Sequence, residues 1–273
     1  MTKTYDYIIV GAGSAGCALA YHLSRDASRK VLLLEAGGKD TNPMIHIPLG
    51  FAFLMKNPKI NWCYQTDPET HMNHRRIDWP RGKVLGGTSS INGMVYIRGQ
   101  KEDYDGWAAE GNPGWSYDEV LPYFKRGEHN VNGADQYHGI GGPLWVGNVA
   151  NKFDMADIFV QAGIDIGIPP NEDFNGPSQE GMGYYQVNIK NGLRQSTART
   201  FLKLCQNRPN LDIQLNALTE KVMFEGKRAI GVSYQQKDTV IRAKASHEVI
   251  LCGGAINSPQ ILELSGIGDS KLL

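Results

Sequence analysis

Three glycines near the start of the chain, Gly11, Gly13 and Gly16, stand at the spacing G-x-G-x-x-G. In such a turn the first glycine lets a strand bend sharply into a helix. The second lets the backbone approach a pyrophosphate, and the third lets helix and strand pack closely. The helix that follows, opening at Ser14 and Ala15, offers free N–H groups and the positive end of its dipole to an anion. Glu35, about twenty residues further on and followed by Ala36, can accept hydrogen bonds from a ribose diol and would repel a 2′-phosphate. The chemistry implied is dinucleotide binding with NADP disfavoured; the loop alone leaves NAD and FAD open.

The elements around the motif have the order that it requires. Tyr7-Ile8-Ile9-Val10 is a short apolar run of the buried parallel-strand type, Cys17–Ser24 is helical in character, and Lys30–Glu35 is a second buried strand. From Gly37 to Pro80, prolines 43, 48, 58 and 68 interrupt regular structure. Frequent aromatic and apolar residues there point to an ordered excursion over a ligand. Arg81–Gly99 reads as a Gly/Ser/Thr-rich loop entering a helical segment, Asp103–Phe124 as helix in pieces, and Gly127–Gly147 as loop. Asp154–Gly167 is a helix with Met155, Ile158, Phe159, Ala162 and Ile166 on one face. Ser196–Leu204 is read as another helix, and Leu211–Leu218 as one alternating stretch. Lys221–Phe224, Ala229–Tyr234 and Val240–Ala245 form an antiparallel meander with turns at Glu225-Gly226 and Lys237-Asp238. Glu248–Cys252 is a buried strand, and a helix is expected to begin near Ser258-Pro259.

The chain of 273 residues has no net charge, which disfavours binding to nucleic acid or to an acidic membrane. Cys17, Cys63, Cys205 and Cys252 form no CxxC pair or zinc spacing, so no metal is expected and each reads as a buried free thiol in a reducing compartment. No signal peptide and no membrane-spanning run is visible, so a cytoplasmic location is expected.

Two long segments carry a more specific signal: Arg81-Gly82-Lys83-Val84-Leu85-Gly86-Gly87-Thr88-Ser89-Ser90-Ile91-Asn92-Gly93-Met94-Val95-Tyr96-Ile97-Arg98-Gly99, and Gly254 to Gly268. Both resemble signature segments of the glucose–methanol–choline (GMC) oxidoreductases. Asn61-Trp62-Cys63-Tyr64 and Gly114-Trp115-Ser116-Tyr117 resemble the choline and alcohol dehydrogenase branch. The resemblance implies an α/β fold: an FAD-binding Rossmann-like core with a β-meander, plus part of an α+β substrate domain, the C-terminal half being absent. It places the discontinuous FAD-binding domain at 5–38, 81–99 and 210–268, a lid-like excursion at 39–80, and a connecting region with a partial substrate domain at 100–209. The cofactor implied is FAD. Beside the phosphate loop, Glu35 and Ala36, the resemblance puts Val84, Gly87, Thr88, Asn92, Gly93, Met94 and Val95 against it, with Val222 by backbone contact at the adenine and Ala255 near the adenosine end. Some family members link FAD through a histidine in this loop; Ile91 stands at that position, so FAD is expected to be non-covalent.

The family reaction oxidises an alcohol CH–OH group, passing hydride to flavin N5 while a base takes the hydroxyl proton. The histidine that serves as base in the family lies beyond residue 273, and none of the seven histidines present matches it. No catalytic residue is therefore assigned, and a chain inactive by itself is expected. Truncation of this kind is also expected to expose apolar surface. The partners implied are a small-molecule alcohol and a quinone-type electron acceptor, which allows peripheral association with the inner membrane. An inactive flavin-binding fragment and an oxygen-using GMC oxidase are the alternatives.

Overall fold

The computed structural model describes residues 3–271 and residue 273, and the chain divides into two compact units. The first comprises residues up to Asn92 together with Ser196–Leu273; the second is Gly93–Gln195. The boundary falls inside the 81–99 segment, and Ser196–Asn210 belongs with the phosphate loop.

The first unit is built on a six-stranded sheet. Its strands are β1 (Lys3–Val10), β2 (Val31–Leu34), β3 (Leu211–Gln214), β4 (Ala217–Glu225), β5 (Arg228–Gln236) and β6 (Thr239–Leu251), in the spatial order β3-β2-β1-β6-β5-β4. The pairs β3/β2, β2/β1 and β1/β6 are parallel; β6/β5 and β5/β4 are antiparallel. Helix α1 (Ser14–Leu23) connects β1 to β2, and α2 (Gly254–Leu264) follows β6. All four side chains of β2 are buried, as a parallel strand covered on both faces demands. Each of its leucines contributes about 1.5–3 kcal/mol by leaving water. Tyr5, Ile8, Val10, Leu32 and Leu34 share one core with Val222, Val232 and Tyr234 of the meander, so the two halves of the sheet are not separable layers.

Five readings of the sequence differ from the structure in this unit. The last meander strand and the Glu248–Cys252 strand are one element: the first part of β6 pairs with β5 and the rest with β1. The alternating Leu211–Leu218 stretch is two strands, broken at Asn216, whose φ of 51° is left-handed. Helix α2 begins at Gly254, with Pro259 inside it. Further, Ser196–Leu204 is not an α-helix; Leu202 and Lys203 donate to carbonyls five residues back, and only Leu202–Leu204 closes a 3-10 turn. The Thr197 amide, which would have no partner within such a helix, donates to the Ser89 hydroxyl at 3.0 Å and ties this segment to the 82–92 loop. Cys63 is exposed rather than buried, because it sits in a left-handed turn whose amide bonds to Asn61. The excursion after Gly38 has its own apolar centre: Ile45, Leu54 and Ile60 pack with Val84 and Ile91.

In the second unit, helices Lys101–Ala109 and Tyr117–Gly127 each begin with a capping box, Gln100 with Asp103 and Ser116 with Glu119. The 127–147 segment is not purely loop: Glu128–Asn130 and Leu144–Val146 pair as parallel strands. Helix Asp154–Asp165 forms as expected, but Met155, Ile158, Phe159 and Ile166 are 60–80% exposed. The interior holds a polar knot. Arg98 Nη2 lies 2.8 Å from Glu128 Oε1, and His138 bridges Glu128 (3.1 Å) and Asp173 (3.0 Å). Hydrogen bonds to Asp173 and Glu128 raise the His138 pKa to about 9, so the imidazolium is held as a charged link. Among the described residues no helix is long and apolar enough to cross a membrane, and no cluster of metal-ligating side chains is present.

Candidate functional site: a glycine-lined dinucleotide cavity

The strand–turn–helix at the N-terminus does what its glycines require, and each glycine does something different. Gly11 has φ of +100°, and a Cβ there would stand 2.4 Å from the Cys252 carbonyl oxygen. A Cβ on Gly16 would stand 1.9 Å from the Gly11 carbonyl oxygen, so that residue is glycine for packing of α1 on its own turn. A Cβ on Gly13 would meet nothing nearer than 3.9 Å. The described residues therefore do not require glycine at position 13; a ligand pressed against that backbone would. No side chain caps α1, so its first amides are left to whatever sits in front of them.

Facing this turn is the Gly82–Thr88 loop. Gly87, at φ +53°, approaches so closely that an added Cβ would lie 2.6 Å from the Gly13 Cα. The Gly82 amide donates to Thr88 Oγ1 (3.1 Å), and the Gly86 amide donates to the Ala12 carbonyl (2.8 Å), which locks the two loops together. Ser89 and Ser90 turn their hydroxyls back onto the Gly86 and Leu85 carbonyls, so their role is to hold the loop.

Between these loops lies a cavity of about 430 Å³. Of the residues expected at a cofactor, Gly11, Gly13, Ser14, Ala15, Glu35, Ala36, Gly87 and Thr88 line it. Gly16 and Val84 lie behind it as packing; Asn92, Val222 and Ala255 are not in its lining. Val222 instead lines a separate groove, with its amide donating to Ser265 Oγ at 2.8 Å. Gly93, Met94 and Val95 belong to the second unit. The sequence reading did not single out Thr219, Asn257, Ser258 or Gln260 as cofactor contacts, and all of them line the cavity. Trp62 is also in the wall, stacked on Tyr64 at 5.8 Å with the Lys83 ammonium 4.6 Å over its ring. Only Asn61–Tyr64 and the 254–268 segment, as quoted motifs, carried a sequence signal for these positions.

Glu35 is the charged centre of the cavity. Its Oε2 accepts from the Ala12 amide (2.9 Å) and its Oε1 from the Gly37 amide (2.8 Å), so the carboxylate bridges the phosphate loop to the end of β2. Burial pushes its pKa up to about 7, against the two amide bonds, which favour the anion. Each oxygen keeps a further lone pair for a hydroxyl donor. The Ala217 amide donates to the Glu35 carbonyl (2.9 Å), which brings the start of β4 alongside. Thr219, two residues on, has a buried hydroxyl with no hydrogen-bond partner among the described residues. Uncapped helix amides, a position that is glycine without a steric need in the protein, a carboxylate with spare acceptor capacity and an orphaned hydroxyl together fit a dinucleotide, with phosphates at the glycines and a ribose at Glu35.

The comparisons with known proteins agree with this geometry. The sequence profile of the GMC oxidoreductases, a family of FAD flavoproteins, matches residues 5–272. An alcohol dehydrogenase [acceptor] from Pseudomonas putida is 52% identical over 272 residues, 98% of this chain and 49% of that protein. An oxygen-dependent choline dehydrogenase from Stenotrophomonas maltophilia is 49% identical over 274 residues, 98% of this chain and 49% of that protein. Among solved structures, pyridoxine 4-oxidase from Mesorbium loti superimposes with a TM-score of 0.93 at 34% identity, covering 97% of this chain and 52% of that one. An FAD-dependent oxidoreductase from Chaetomium thermophilum gives 0.90 at 34% identity, covering 98% and 48%. The chain spans about half the length of the curated relatives it matches. With both glycine loops and the Glu35 carboxylate assembled on the sheet, and the profile matching almost end to end, the chain belongs to the GMC oxidoreductase family.

Proposed function

We infer that this chain forms the FAD-binding part of an alcohol dehydrogenase of the GMC family, with a small-molecule alcohol as substrate. The observation that carries the reading is the cavity in which two glycine loops converge in front of the uncapped start of α1, with Glu35 beside them. Bound there, FAD supplies the two-electron acceptor for oxidation of a CH–OH group. What the chain's own residues do is bind and orient. The α1 amides neutralise phosphate charge, Gly13 and Gly87 allow backbone contact, and Glu35 accepts from the ribose diol. Relatives near 50% identity are dehydrogenases, while the pyridoxine oxidase shares 34%, which favours dehydrogenase over oxidase. Following the resemblance, the acceptor is of quinone type, and attachment at a membrane surface would follow from that.

FAD is held without a covalent bond. The position where some relatives carry a linking histidine is Ile91, which is 1% exposed and packed among Ile45, Leu54, Ile60 and Val84, with no nucleophile to offer. The reading is tested by the visible absorbance of the chain after incubation with FAD and desalting. A retained flavin spectrum is expected, released to the supernatant by acid precipitation. A folded sample that retains no flavin but titrates with NAD would overturn the choice of cofactor, and flavin left in the acid pellet would overturn the non-covalent assignment.

A further inference from the structure

The excursion after Gly38 has more apolar surface than its own core uses. Helices Pro43–His46 and Phe51–Leu54, joined through the turn Pro48–Gly50, form a knuckle. Its two faces differ. Ile45 and Leu54 are buried with Val84 and Ile91, while Met44, Ile47, Leu49, Phe51 and Phe53 are exposed, Leu49 at 75% and Phe53 at 72%. We propose that this knuckle, with the lysines that flank it, is a docking surface for an anionic lipid bilayer, entering the headgroup region without spanning it; the proposal gives the membrane attachment read above a site and rests on that reading. The backbone suits shallow insertion. Pro43 and Pro48 carry no amide hydrogen, and the amides of Met44, Ile45, Ile47, Gly50 and Phe51 are each bonded within the knuckle or to Asn42. Few unpaired N–H groups would therefore enter lipid, where each is costly. Gly50 lies against the Met44 carbonyl with no room for a Cβ, so the turn is packed and its apolar residues are presented preformed.

Charge chooses the occupant. Residues 39–60 carry exposed Lys39, Lys56 and Lys59 against Asp40 alone, and no acidic residue occurs from Thr41 to Thr66. The zero net charge of the chain thus hides a locally basic segment. Apolar side chains with lysines beside them are held at a bilayer both by burial at the acyl boundary and by attraction to anionic headgroups. The lysine stems can follow the apolar residues inward while their ammonium groups stay among the phosphates. The other exposed apolar face, with Met155, Ile158 and Phe159 on helix Asp154–Asp165, lacks this complement: that helix carries Asp154, Asp157 and Asp165 and no basic residue. Anionic headgroups would repel it, which makes it the control.

The test is co-sedimentation of the chain with vesicles of phosphatidylglycerol and phosphatidylcholine, and with vesicles of phosphatidylcholine alone, with thermal melting and flavin retention recorded for each variant. Wild type is expected to bind the anionic vesicles and to be released as salt rises to about 0.5 M. Lys56→Gln with Lys59→Gln should bind them about 25-fold more weakly, about five-fold for each charge, and should bind neutral vesicles as wild type does. Leu49→Ser with Phe53→Ser should lose about ten-fold or more on both kinds. Phe159→Ser should bind as wild type. All of these positions are exposed, so melting and flavin retention should not change. Should the double serine variant melt lower, Phe53→Ser alone gives the same comparison. Binding that F159S loses and the knuckle variants keep, or that is equal on neutral and anionic vesicles, overturns the proposal and leaves attachment by another face standing. A chain that sediments with neither kind of vesicle overturns the attachment as well, while flavin retained by that same sample leaves the cofactor reading intact.

Discussion

Replacing Glu35 by Gln tests how a buried carboxylate is accommodated at this site. Burial raises the Glu35 pKa from an ordinary 4.5 to about 7. At about 1.4 kcal/mol per pH unit, the ionised form is disfavoured in the fold by about 3 kcal/mol, an upper value. Because the folded pKa lies above the unfolded one, this stability is fully present below pH 4.5 and is lost as pH rises through 7. Wild type should therefore lose up to about 3 kcal/mol from this group between pH 4.5 and 8, and E35Q should lose none of it. The amide has its own cost: both carboxylate oxygens accept backbone N–H groups, so its NH₂ must face either the Ala12 or the Gly37 amide. That leaves one donor unpaired, at about 1–3 kcal/mol. E35Q should be less stable than wild type at pH 5 and should draw level with it or pass it at pH 8. Urea unfolding followed by circular dichroism across this range measures both curves. Parallel pH profiles would refute the reasoning. A diol donating to the carboxylate favours the anion, so wild-type affinity for FAD should rise with pH through 7 while E35Q stays flat.

The glycine loops give two contrasting outcomes. Gly13→Ala has room in the free protein and should melt close to wild type yet lose flavin, because the methyl occupies the ligand's approach; retained flavin on desalting would refute this. Gly16→Ala forces a methyl 1.9 Å from a carbonyl oxygen and should instead destabilise the fold by about 1–3 kcal/mol or more, read in the same melts. Gly87→Ala combines a left-handed φ with a 2.6 Å approach to Gly13 and should lose both stability and flavin. In the second unit, Glu128→Gln removes the carboxylate between Arg98 and His138 and should cost about 3–5 kcal/mol, since it leaves buried cations uncompensated. A shift under 1 kcal/mol would show that the knot is hydrated. Its pH signature follows from His138: with a pKa raised to about 9, its contribution is whole below about 6.5 and fades as pH climbs through 9.

The sequence by itself determined the elements whose causes are local. The apolar runs at Tyr7–Val10 and Val31–Leu34 are of the buried-strand type, the spacing of Gly11, Gly13 and Gly16 between them sets a strand-to-helix turn, and the meander is marked by its turn residues Gly226 and Lys237-Asp238. Glu35 was legible because its distance from the motif is set by the length of one crossover. What the tertiary structure decided are relations between residues far apart in sequence. Gly87 meets Gly13 across a gap of about seventy residues, a contact no periodicity encodes. The alternation of Leu211–Leu218 hid a break at Asn216, because that left-handed residue turns the chain from one edge of the sheet to the other. Helix signals at Ser196–Leu204 gave a wider turn, with Leu202 and Lys203 donating five residues back, and only Leu202–Leu204 closing a 3-10 turn. Thr219 looks like any strand threonine in the sequence, and only the fold buries its hydroxyl with no hydrogen-bond partner among the described residues. Local sequence sets φ, ψ and which face is apolar. Which polar group is left over, and in front of which cavity, depends on how the distant strands pack, since an unpaired hydroxyl is a property of its surroundings and not of its neighbours in the chain.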